Sequence, residues 1–136
     1  MITLEQVIGI GLAGALGTLA RFGTNQLSTQ LFGQQLWGTV IVNLLGCLLF
    51  GLLYALFVAE KLPTKYQVVI LTGFLGGFTT FSAYAFEIAD FLEKGRYLAA
   101  AGHFSLQNLG GILAVFAGLM FGRLLVVCYD QGGIFT

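Results

Sequence analysis

Apolar residues in this chain gather in long blocks, and polar or charged residues fill the gaps between them. Blocks at about 4–22, 37–59, 66–92 and 98–127 each reach or approach the ~20 residues needed to cross a hydrocarbon core. The pattern predicts an all-α membrane protein with four transmembrane helices in a single domain. The last block exceeds a minimal span, which predicts a tilt or a protruding end. Residues 23–36 carry Asn, Gln, Ser and Thr but no charge. They read as a connection with a short interfacial turn. Trp37 follows, a residue type that favours the membrane–water boundary. Glu60, Lys61, Pro63 and Lys65 form the next loop, where proline stops a helix. Lys94, Gly95 and Arg96 form the last turn. No fold is expected of the tail beyond Arg123.

The third block is interrupted where the others are not. Gly76 and Gly77 weaken a helix, because glycine loses more backbone entropy than alanine on becoming helical. Thr79, Thr80 and Ser82 then offer hydroxyls. Phe78, Phe81 and Tyr84 recur every third residue and so lie near one another on a helix. Inside a bilayer, backbone groups freed by a break survive only when buried in protein or facing water or an ion. Such a stretch can be a glycine packing seam or a mid-membrane ion site. The coincidence of glycines, hydroxyls and aromatics favours the ion site.

Polar residues inside the other blocks mark further candidates. Asn43 has Thr39 one turn before it, and Thr39, Asn43, Gly46 and Phe50 share a helix face. An unpartnered amide is costly in hydrocarbon. Asn43 therefore bonds a neighbouring helix or offers its N–H donors to an anion. Arg21 reads as a snorkelling anchor or as a cation lining an aqueous vestibule. Glu87 is a functional candidate as an acid within a span, or the start of a solvated end with Asp90 and Glu93. His103 and Gln107 lie on a stripe with Gly111, Gly118 and Gly122, and Asn108 lies beside it. They line a watery path or bond another helix. Gly9, Ala13 and Gly17, with Gly14 and Thr18 alongside, and the pair Gly118 and Gly122, predict close helix contacts.

Composition narrows the function. Hydrophobic residues are 57% and charged residues 9% of the chain, against about a quarter charged in soluble domains. The formal net charge is zero, which argues against a nucleic-acid partner. Cys47 and Cys128 read as small apolar filler, with no metal or redox spacing. A lone His103 is a poor metal signal. No nucleophile–base pair or phosphate loop suggests an enzyme. The N-terminal block lacks a signal peptide's basic start and cleavage site, so it is expected to remain a span. Lys61, Lys65 and Arg123 on one side balance Arg21, Lys94 and Arg96 on the other. Orientation follows Lys/Arg imbalance, and none exists here. The expectation is an antiparallel, dual-topology homodimer.

Three segments then align in order with a known pattern. They are Gly14-Ala15-Leu16-Gly17 followed by Arg21, Gly38-Thr39-Val40-Ile41-Val42-Asn43-Leu44-Leu45-Gly46, and Gly73-Phe74-Leu75-Gly76-Gly77-Phe78-Thr79-Thr80-Phe81-Ser82. With them the chain resembles the bacterial CrcB/Fluc family of fluoride channels over nearly its whole length. The resemblance implies a dual-topology dimer in the inner (plasma) membrane, with two fluoride pathways. It also implies a structural Na+ on the dimer axis, held by the main-chain carbonyls of Gly76 and Thr79. The family's pore asparagine falls on Asn43 and its paired phenylalanines on Phe81 and Tyr84. Its first-span arginine falls on Arg21 and its third-span acid on Glu87. Tyr84 stands where a second phenylalanine is usual. His103 and Gln107 stand where a tyrosine and a serine are usual, and Gly111 supplies no hydroxyl.

The expected function is a passive, fluoride-selective channel that exports cytoplasmic fluoride. Its pathway is expected to be lined by Asn43, Phe81, Tyr84, Thr80 and Ser82, with Arg21, His103 and Gln107. The alternative is a small proton-coupled exporter of cationic compounds, also four-span and dual-topology. That class needs a carboxylate embedded in the first span, where the only acid is Glu5 at its very start. A structural subunit without transport activity would explain the packing motifs but not Asn43 beside a broken third span.

Overall fold

The computed structural model describes residues 3–132, all of them in helices and short connections. Its long elements are α1 (Leu4–Phe32), α2 (Leu36–Val58), α4 (Phe81–Glu93) and α5 (Tyr97–Gly132). Between α2 and α4 come a 3₁₀ turn (Thr64–Tyr66), a π-helical segment (Val69–Leu75) and the single turn α3 (Gly76–Phe78). Four stretches are long and apolar enough to cross a membrane: Leu4–Phe32, Leu36–Val58, Thr64–Glu93 and Tyr97–Gln131. Large apolar side chains such as Leu12, Leu19, Leu98 and Leu113 stand exposed on the outside. With so few charges to meet water, those surfaces suit lipid, and the chain is a multi-pass membrane protein.

Small residues set the packing. Helix α2 lies along α5, and α1 lies along the π-helical segment and α3. A Cβ at Gly118 would collide with the carbonyl oxygen of Leu48, and one at Gly17 with that of Phe74. The expected seams on α1 and α5 therefore exist, and each brings two backbones together. Phe57, Leu71 and Leu75 form a small core where α2 meets the third span.

Three expectations need correction. First, residues 23–36 are not a connection. Helix α1 continues to Phe32 and ends at Gly33, whose left-handed φ of 69° suits glycine. The hydroxyls there find local backbone partners, while the buried Asn25 Oδ1 has none among the described residues. The hydroxyls of Thr24 and Thr29 donate to the carbonyls of Ala20 and Asn25, four residues back. Second, α5 runs past 127 to Gly132, and the rest of the expected tail lies outside the described residues.

Third, the break in the third span is present but displaced. Gly76 and Gly77 stay helical, and the backbone leaves the helix at Thr79 (φ −80°, ψ 158°) and Thr80 (φ −147°, ψ 113°). β-Branched threonine accepts extended backbone readily. Gly77 instead serves packing, since a Cβ there would strike the Gly14 carbonyl. The break also parts the aromatic triplet. Phe78 is buried and stacks on Phe74 at 6.0 Å, while Phe81 pairs with Tyr84 at 5.6 Å.

Candidate functional site: a polar column beside the third-span break

Asn43 grips the break. Its Nδ2 donates to the Thr80 carbonyl (3.0 Å), and its Oδ1 accepts from the Thr80 amide (2.8 Å). In an uninterrupted helix that amide would donate to the Gly76 carbonyl, four residues back. The side chain of α2 thus replaces the lost helical bond and leaves the Gly76 carbonyl free of it. Thr80 Oγ1 also caps α4, accepting from the Ala83 amide (3.3 Å), and lies 3.4 Å from Ser82 Oγ. Nδ2 of Asn43 further donates to Gln107 Oε1 on α5 (3.2 Å). Three elements therefore meet in one layer of hydrogen bonds.

A second layer lies one helical turn away. Glu87 Oε1 accepts from Thr39 Oγ1 (2.6 Å), and Glu87 Oε2 lies 2.9 Å from His103 Nε2. Thr39 and His103 are buried and Glu87 is half-buried. Thr39 precedes Asn43 by four residues, and His103 precedes Gln107 by four. The layers are thus about 6 Å apart along both helices. Tyr84 lies between them on α4. Its hydroxyl accepts from Asn108 Nδ2 (2.7 Å), and its ring centroid is 5.6 Å from that of His103. Phe81 meets Tyr84 edge-on, at an interplanar angle of 64°.

The Asn43 layer, with Phe81, Tyr84 and Asn108, borders a cavity of about 340 Å³ between α2, the break and α5; Thr39, Glu87 and His103 lie outside its lining. Gly76, Thr79, Thr80 and Asn43 line one part of it; Phe81, Tyr84, Gln107 and Asn108 line another. The arrangement can replace the water of a small ion with amide, hydroxyl and ring-edge contacts. It carries no metal-ligating cluster: among the described residues, no three of His, Cys, Asp or Glu group together.

Residues 8–119 match the protein family described as "CrcB-like protein, Camphor Resistance (CrcB)". The chain belongs to the CrcB family. It is similar to the fluoride-specific ion channel FluC of Solidesulfovibrio magneticus, with 47% identity over 125 residues, covering 90% of this chain and 99% of that one. It is also similar to the FluC of Nitrosococcus oceani, with 42% identity over 123 residues, covering 89% and 98%. The FluC of Pseudomonas putida strain F1 is 40% identical over 125 residues, covering 90% and 99%. The family match spans both layers of the column.

Within this CrcB chain the sequence-derived candidates divide into two groups. Asn43, Thr80, Tyr84, Glu87, His103 and Gln107 form the column. Phe81 touches it only through the Tyr84 ring and is 78% exposed. Ser82 is exposed and touches the column through Thr80. Arg21 stands apart from the reading of a helix-end residue. Because α1 continues to Phe32, Arg21 lies within the helix, and its Nη1 donates to the Thr79 carbonyl (3.2 Å). It braces the break from the α1 side. Arg21 then no longer counts as a loop charge, and by the same measure Arg123 lies inside α5, so the loop charges become Lys61 and Lys65 against Lys94 and Arg96, two to two.

Thr39 and Asn108 act in the site without having been among its expected residues. Thr39 had a visible signal, its place one turn before Asn43. Asn108 had a weaker one, its place beside the stripe, about 100° round an ideal helix from Gln107. The main-chain oxygens of Gly76 and Thr79 suit a hard cation such as Na+. A Cβ at Gly76 would meet nothing within 4 Å, so the backbone is open there. The Thr79 carbonyl accepts one bond from Arg21 and retains a second lone pair.

Proposed function

We propose that the chain is a fluoride-selective passive channel of the inner (plasma) membrane, working as an antiparallel, dual-topology homodimer with two pathways. The reading rests on one observation above all. Two polar layers, Thr39–Glu87–His103 and Thr80–Asn43–Gln107, are stacked one helical turn apart beside the Phe81–Tyr84 pair in an apolar helix bundle. Relatives named as fluoride-specific channels support the choice of ion. Fluoride enters cells as its neutral weak acid, dissociates and is trapped as the anion. A passive pathway lets the anion leave down its electrochemical gradient. Fluoride is small and strongly hydrated, so the pathway must replace water with donors. Amide and hydroxyl hydrogens and the edges of Phe81 and Tyr84 suit that task in the layer of Asn43, Thr80 and Gln107, which carries no ionisable side chain; Glu87 and His103 lie one turn away.

A second copy would supply the remaining wall. Phe81 stands exposed next to the break, and a dimer would cover its apolar ring. A structural Na+ on the dimer axis would take the carbonyls of Gly76 and Thr79 from each chain and hold the two breaks together. The proton-coupled exporter has less support. It would need Glu87 as its working carboxylate, and Glu87 is already held by Thr39 and His103.

The test is ion efflux from liposomes carrying the purified protein, with a potassium ionophore to relieve charge. Rapid fluoride release without chloride release is the expected result. No fluoride release from dimeric protein would reject the channel reading. Proton-driven uptake of an organic cation would favour the exporter.

A further inference from the structure

Asn43 has no donor left to offer an ion. Its two amide hydrogens go to the Thr80 carbonyl (3.0 Å) and to Gln107 Oε1 (3.2 Å). Gln107 is the opposite case. Its oxygen is taken, but its Nε2 is buried and has no partner among the described residues. The side chain is only 9% exposed and lines the cavity together with Asn43, Thr80 and Tyr84. This amide cannot simply be turned over. The Thr80 amide donates to Asn43 Oδ1, which directs Asn43 Nδ2 at Gln107. A flipped Gln107 would set two NH₂ groups against each other.

The other side-chain amides at the cavity, and the Thr39 hydroxyl, are committed elsewhere. Asn108 Nδ2 donates to the Tyr84 hydroxyl (2.7 Å) and to the Phe104 carbonyl (2.8 Å). The Thr39 hydroxyl donates to Glu87. The Tyr84 hydroxyl accepts from Asn108 and keeps its own hydrogen to give. A buried amide donor without a partner calls for an explanation. A donor already stripped of water is also preorganised for an anion, since it loses no water when the ion arrives.

We propose that Gln107 Nε2 is the amide donor that coordinates the permeating fluoride, with Asn43 as the positioning residue that fixes the Gln107 amide and braces the break. This rests on the channel reading above and names the donor within it. A neutral NH₂ offers two hydrogens and no charge, so it can bind a desolvated anion and still release it.

Two measurements test the proposal on the full chain. In liposomes, Gln107→Met keeps the side-chain length and removes the donor. Fluoride efflux should fall by about tenfold or more, the scale of one hydrogen bond to a charged group. In lipid nanodiscs, sodium fluoride should move the Gln107 side-chain amide protons of the wild type downfield and saturably. Sodium chloride should not, and the Asn43 side-chain amide should move less. The titration uses the wild type, so it decides the matter even if Gln107→Met misfolds. Efflux from folded Gln107→Met within about twofold of wild type, or a fluoride shift centred on Asn43, would overturn the assignment while leaving the channel intact. A wild type that releases no fluoride would reject the channel reading and this assignment with it.

Discussion

Replacing Asn43 with Ala removes three hydrogen bonds at once: two to the Thr80 backbone and one to Gln107. The loss can be bracketed. Interhelical hydrogen bonds in membrane proteins average ~0.6 kcal/mol each, which sets a floor of about 2 kcal/mol for three. Leaving the Thr80 N–H and C=O and Gln107 Oε1 without partners costs ~1–3 kcal/mol per group, which sets a ceiling of about 9 kcal/mol. The break allows partial relief, because a backbone already out of helical geometry can shift to find other partners. We therefore expect a loss of about 3 kcal/mol, read from unfolding of the micelle-solubilised protein by increasing SDS. Fluoride efflux should fall with it, because Gln107 loses the group that orients its amide. Asn43→Asp is the matched control. It keeps an acceptor for the Thr80 amide but sets carboxylate oxygens against the Thr80 carbonyl and Gln107 Oε1, so it should also abolish efflux. A loss under about 1 kcal/mol for Asn43→Ala would refute the reasoning. It would mean that the break is held from the other side, through Arg21 and the Thr79 carbonyl.

Other consequences follow from the packing and the second layer. Gly17→Ala drives a Cβ into the Phe74 carbonyl and should cost ~1–3 kcal/mol in the same SDS titration, as overpacking does. Gly102→Ala meets nothing within 4 Å and should be neutral or stabilising by ~1 kcal/mol at most, through helix propensity. An equal effect of the two would contradict the close contact of α1 with the third span. Glu87→Leu leaves the Thr39 hydroxyl and His103 Nε2 without their acceptor and should cost ~1–3 kcal/mol for each group left bare. Retention of full stability by that variant would show that water or another chain satisfies both groups.

Much of this protein could be read before any coordinates. Spans depend on local composition, because hydrocarbon rejects charge wherever it occurs along the chain. The four blocks therefore appear in the structure with the third one broken. The stripe of His103, Gln107, Gly111, Gly118 and Gly122 is buried as helical periodicity requires. Asn43, Thr80, Glu87, His103 and Gln107 stood out because polar atoms inside apolar runs must find partners.

What the sequence did not decide were the properties that belong to pairs of elements. The break falls at Thr79–Thr80 rather than at the glycines because Asn43, 37 residues away along the chain, supplies the bonds that an extended backbone lacks. Gly77 stays helical because α1 needs the space. Arg21 reaches the Thr79 carbonyl because α1 extends well past the apolar block. Which of two neighbouring amides keeps a free donor depends on how their oxygens and nitrogens are matched across three helices. Residue type and spacing alone determine that polar groups must be satisfied; only the tertiary arrangement determines which partner satisfies each one.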